Sequence, residues 1–178
     1  MEAPQPRLLL ITSAWPPARP RPVNPKPAGT LAPPASPVKR EAEALQAAGL
    51  SVEIFAFAGR GFYNYAAAWT RLRPRLHPGR YDVVHAQETS NVLLALPKRV
   101  PLVVTVGKQD LRKLLQQLLA RLLAGRADAV IVGSDEMRGR VRTRAPVHVI
   151  PPDLDEPART ARLVDVYRSI VPERFSAS

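Results

Sequence analysis

Six short apolar runs recur along this chain of 178 residues: Arg7 to Thr12, Ser51 to Phe57, Tyr81 to Ala86, Leu102 to Val106, Ala129 to Val132 and Val147 to Ile150. They are rich in Val, Ile and Leu and do not alternate cleanly with polar residues, the pattern of strands buried on both faces. The segments between them read as helices. Residues 38–48 are good helix formers that stop at Gly49, and residues 63–73 stop at Pro74. Residues 88–96 form a further helical stretch. Residues 111–123 carry leucines at 114, 115, 118, 119, 122 and 123 that predict one broad apolar stripe. Strands and helices alternating in this way are joined by right-handed crossovers into a parallel sheet. The expected fold is therefore α/β: a single Rossmann-like, doubly wound parallel sheet of about six strands.

Ligands in such folds bind beyond the carboxyl ends of the strands. The residues to weigh therefore follow Ile11, Phe57, Val84, Val104 and Val132. One segment does not suit a compact domain. Residues 14–37 are proline-rich and carry Arg19, Arg21 and Lys26, and proline both fixes φ and removes amide donors. An extended, mobile surface loop is expected there. At the other end, Leu163, Val164, Val166, Tyr167, Ile170 and Val171 have the spacing of one buried helix face, with Asp155 or Glu156 favoured near its amino end. The expected organisation is a domain over 1–155 and a closing helix and tail over 156–178.

With 46% apolar residues the chain can build a real core, and with no cysteine it holds neither disulfides nor thiolate metal sites. The first apolar run is too short for a signal peptide or a membrane span, which predicts a soluble cytoplasmic protein. Five lysines and many arginines give a net charge of +11, which attracts polyanions. The cations cluster at Arg71, Arg73, Arg75 and Arg80, and again at Arg138, Arg140, Arg142 and Arg144. Neither cluster carries interleaved aromatics or a nucleic-acid module, so nucleic acid is not the expected partner. Arg138 and Arg142, four apart, are expected to share a helix face. With Arg140 they are candidates for contact with anionic lipid, peripherally at a membrane surface, or with phosphate.

Three motifs point to a family. Tyr81-Asp82-Val83-Val84-His85-Ala86 ends the third strand, and Val103-Val104-Thr105 leads into Val106-Gly107-Lys108-Gln109-Asp110. Arg126 to Asp155 reads as strand, serine, basic helix, strand and a Pro151-Pro152-Asp153-Leu154-Asp155 link. From Arg7 to about Asp155 the sequence resembles the N-terminal, acceptor-side domain of a GT-B glycosyltransferase of the family-4 type. Such enzymes transfer a sugar from a nucleotide-sugar to an acceptor hydroxyl, with the acceptor on the first domain and the donor on the second.

The resemblance nominates substrate-binding candidates. His85 stands where the family has its first histidine, and Gln87 replaces the second of that pair, with Glu88 beside it. A neutral imidazole offers a sugar hydroxyl or phosphate one donor and one acceptor, but a structural histidine explains the position equally. Gly107 falls on the usual histidine of the next turn and Lys108 on its glycine. That pair either grips a phosphate through amide and ammonium or narrows the crevice. Asp110 matches the family aspartate and alternatively caps the helix from Leu111. Ser134, with Asp135 and Glu136 after it, has the form of an N-cap first and a ligand contact second.

The link keeps its leading proline and final aspartate but has lost the family's Asn-Gly. No Glu-x7-Glu donor motif, Gly-x-Gly-x-x-Gly or Walker A sequence occurs, and His77, His85 and His148 are too dispersed for a metal site; no cofactor or metal is expected. The closing helix follows Asp155 directly, so the chain reads as a transferase whose donor domain is missing between Asp155 and Ala158, inactive alone. Its expected partners are a separate donor-domain chain or partner subunit and a sugar or lipid-phosphate acceptor. The alternative is a non-catalytic binding or scaffold module derived from the same fold, associating with anionic lipid or a partner subunit.

Overall fold

The computed structural model describes residues 5–14, 36–58, 61–111 and 114–175. The mobile loop expected over 14–37 falls, from 15 to 35, outside the described residues. Ser36 and Pro37 open the first helix, two residues earlier than the sequence pattern suggests, at a position where proline costs no helical hydrogen bond.

Six parallel strands form one sheet: β1 (Arg7–Ala14), β2 (Ser51–Ala58), β3 (Val83–Ala86), β4 (Leu102–Val106), β5 (Ala129–Val132) and β6 (Val147–Val149). Their order is β2-β1-β3-β4-β5-β6. The chain winds outward from β1 to β2 and then crosses back to β3, so the topological switch point lies between β1 and β3. Side chains alternate across each strand. Leu8, Leu10, Val83, Val103 and Ile131 face one apolar layer, covered by α1 (Ser36–Ala47) and α5 (Glu156–Ile170). Leu9, Ile11, Val84, Val104 and Val130 face the other. That layer is covered by α2 (Phe62–Leu72), a 3-10 helix over Thr89–Ala95, α3 (Leu114–Ala124) and α4 (Asp135–Arg140). Gly49 stops α1 at φ +90°, a conformation that L side chains disfavour.

The closing helix docks as the tail pattern predicts. The Asp155 carboxylate accepts from the Ala158 amide at 2.9 Å, and Pro157 sits in the first turn, where no amide is needed. Leu163, Val166 and Tyr167 are buried against the β1–β3 face, and Arg159 reaches Glu41 of α1 at 3.2 Å.

The helical stretch expected over 88–96 is a 3-10 helix, Thr89–Ala95. Two local expectations are corrected. Of the α3 leucines whose side chains are described, Leu118 and Leu122 are 52% and 64% exposed and fall outside the expected stripe, whereas Leu123 packs on the core beside Ala120 and Ala124. Finally, α4 ends at Arg140, where Val141 becomes extended and buries its side chain. Arg142 therefore lies beyond the helix and does not share a face with Arg138.

Candidate functional site

The carboxyl ends of β1 and β3 meet at the switch point and place a polar group there. Ser13, near the end of β1, donates its hydroxyl to the Glu88 carboxylate at 2.8 Å. Gln87 donates its side-chain amide to Glu41, whose other oxygen accepts from Arg159. The Gln87 backbone amide donates to the Ile11 carbonyl at 3.0 Å, fixing the turn against β1. One hydrogen-bonded line thus runs from the cleft through α1 to the closing helix.

His85 lies below this rim. One ring nitrogen bonds the Tyr167 hydroxyl and the other the Thr105 hydroxyl, both at 2.8 Å, and the ring is 1% exposed. Burial pushes its pKa down to about 4, opposed by the Glu41 carboxylate and aided by the Arg159 charge. The imidazole is therefore neutral at physiological pH, with one nitrogen donating and the other accepting. Both nitrogens are taken up within the fold. Burial also raises the Tyr167 phenol well above its ordinary value, with the Glu41 charge adding to the rise, so it stays an intact donor and acceptor.

After β4 the chain turns through a 3-10 helix, Lys108–Leu111. The Asp110 carboxylate accepts from the Gly107 amide at 3.0 Å and from the Thr89 hydroxyl at 2.7 Å. Asp110 therefore ties the β4 turn to the segment after β3; the amides it was expected to cap, at 112 and 113, lie outside the described residues. The Gly107 amide is spent in this bond, while Lys108 is exposed. Through Thr89 and Asp110, the turns carrying Gln87, Glu88, Gly107 and Lys108 become one rim.

Ser134 stands at the end of β5 and caps α4, accepting from the Met137 amide at 3.3 Å. Glu136 pairs with Arg140 at 2.6 Å on the exposed side of that helix. Arg138 and Arg142 are exposed. The arginines of the other cluster are partly engaged: Arg75 and Arg80 pair with Glu53, and Arg73 lies over the Trp69 ring. Among the described residues no group of three or more His, Asp or Glu is disposed to hold a metal, and no helix is long and apolar enough to cross a membrane.

Ser13, Glu41, Thr89 and Thr105 were not singled out from sequence. Ser13 carried a usable signal as a polar residue ending an apolar strand; the others become legible only when distant segments meet.

Fold and rim together define one Rossmann-like half of a GT-B enzyme with its closing helix. Residues 30–156 match Glycosyltransferase Family 4, and the chain belongs to that family. Among solved structures it is similar to a sucrose-phosphate synthase from Thermosynechococcus elongatus whose designation carries the numbers 27, 220, 406 and 426. That match has 16% identity and a TM-score of 0.65, and covers 93% of this chain and 99% of the other. A second sucrose-phosphate synthase structure from the same organism matches at 15% identity and a TM-score of 0.54, over 83% of this chain. This chain spans 48% of that longer one. Comparison with curated protein sequences gives no match.

Proposed function

We propose that the chain is the acceptor-binding half of a family-4 glycosyltransferase, holding a sugar or lipid-phosphate acceptor at the β1–β3 switch point. Ser13 and Glu88 present a hydroxyl and a carboxylate to acceptor hydroxyls, Gln87 adds an amide, and Lys108 offers an ammonium to a phosphate. Gly107 and Asp110 shape the turn that carries Lys108. His85 acts beneath the cleft, where it holds β3 and β4 to α5.

One observation carries this reading: α5 follows β6 through a six-residue link, 150–155, and seats Tyr167 on His85 as a closing helix would. Read as residue ranges, the designation of the shorter sucrose-phosphate synthase structure joins a long first piece to a short last one, the same order of parts. In this reading the donor site belongs to a second domain that residues 1–178 do not include, and these residues alone are inactive.

Purified chain is incubated with labelled UDP-glucose or GDP-mannose and a panel of sugar, sugar-phosphate and lipid-phosphate acceptors. No transfer is expected from this chain alone. Transfer in a preparation free of other transferases overturns the division of labour proposed.

A further inference from the structure

The basic residues near α4 acquire a different meaning once the fold is known. At β6, the outermost strand, a depression of about 280 Å3 opens between α4 and α5. Arg138 lines it from α4, His148 from the strand, and Arg162 and Asp165 from α5. Asp165 is engaged by Arg168 at 3.1 Å, and the Arg140 beside Arg138 is engaged by Glu136. Among the described residues no carboxylate pairs with Arg138 or Arg162, so two unpaired arginines from different helices line one depression, with Asp165 as its carboxylate.

His148 reports on the charge beside this depression. Its Nε2 atom is buried without a hydrogen-bond partner, a costly arrangement that folds seldom leave unanswered. Burial lowers its pKa, and the Arg138 charge lowers it further.

We propose that this depression is a binding site for a phosphate-class oxyanion, gripped by Arg138 and Arg162. Guanidinium matches phosphate oxygens through paired N–H donors. At about 280 Å3 the depression has room for a phosphoryl group together with part of the molecule that carries it. An anion seated there also offsets the Arg138 charge beside His148. The site lies at the sheet edge, away from the β1–β3 switch point, and stands independently of the acceptor reading.

The test follows the His148 ring by NMR through a pH titration in sodium phosphate and in sodium chloride of equal ionic strength. Phosphate is expected to move the His148 midpoint upward relative to chloride, leaving His85 unmoved. Arg138→Gln alone is expected to raise the midpoint in chloride, because it removes a charge that opposes protonation. The Arg138→Gln/Arg162→Gln variant is expected to lose the phosphate-dependent shift, with an unchanged thermal midpoint in chloride showing that it still folds. Equal His148 midpoints in phosphate and chloride, or a shift that survives the double variant, overturn the proposal. A parallel arm compares glycerol 3-phosphate with phosphatidate-containing vesicles. A shift with the soluble phosphate makes a free phosphoryl group the ligand; a shift with the vesicles alone makes it a lipid headgroup. A shift with neither overturns the site.

Discussion

His85 and His148 occupy the centre and the edge of the same sheet, and burial holds both below the ordinary imidazole range. At the centre, every polar atom of the ring has a partner: Tyr167 comes from the closing helix and Thr105 from β4. At the edge, the Nε2 atom of the ring has none, and among the described residues no carboxylate pairs with Arg138 or Arg162. A buried polar group that the fold answers is part of the architecture. Guanidinium charge that the fold leaves unpaired beside a depression is what the proposed anion answers. This contrast separates the histidine that the family pattern singles out from the one it passes over.

The contrast is broken most severely at Tyr167. Replacing it with alanine removes a fully buried ring and is expected to cost about 3–5 kcal/mol, read from urea unfolding. Tyr167→Phe keeps the ring but strips a partner from His85, and about 1–3 kcal/mol is expected. A loss below the smaller figure in both variants would show α5 to be an undocked appendage.

Acid is the next largest perturbation. His85 titrates near 4 in the fold against 6.5 unfolded, so between those values the unfolded chain binds the extra proton. Its contribution is fully present above pH 6.5 and is lost as pH falls toward 4, by roughly 3 kcal/mol in total. Unfolding free energies at pH 7 and pH 4.5, with the His85 ring followed by NMR, check this. Stability that stays flat over the interval would show a charged or hydrated His85.

Smaller effects belong to the rim and the surface. Ser134→Ala removes the α4 cap and is expected to cost about 1 kcal/mol by thermal unfolding. Arg140→Gln breaks an exposed pair whose side chains are 57% and 73% exposed, and a change within about 0.5 kcal/mol is expected. A cost above 1 kcal/mol there would mean that the α4 arginines stabilise the fold, which would weaken their assignment to ligand binding.

The strands were legible because each is a short run dominated by Val, Ile, Leu, Ala and Phe, with few polar positions to disguise it. The closing helix was legible for a related reason: Leu163, Val166 and Tyr167 fall on one face and Asp155 precedes them. The α3 stripe misled because hydrophobicity does not reveal which side packs: Ala120 and Ala124 are buried there, while Leu118 and Leu122 are exposed. The α4 boundary was missed because its end is set by the burial of Val141, a tertiary event. His85 was recognised as a position, but its partners lie 82 and 20 residues away, beyond the reach of any local pattern. The tie from Asp110 to Thr89 was not legible, because that hydroxyl arrives from another turn.

The central claim, that this chain is an acceptor half, is tested most directly by calorimetric binding of glucose 6-phosphate and of UDP-glucose to the native chain and to Ser13→Ala/Glu88→Gln. The account predicts that the sugar phosphate binds the native chain, that the double variant loses this binding, and that UDP-glucose does not bind. Binding of UDP-glucose with no binding of the sugar phosphate, or sugar-phosphate binding undiminished in the variant, would contradict it.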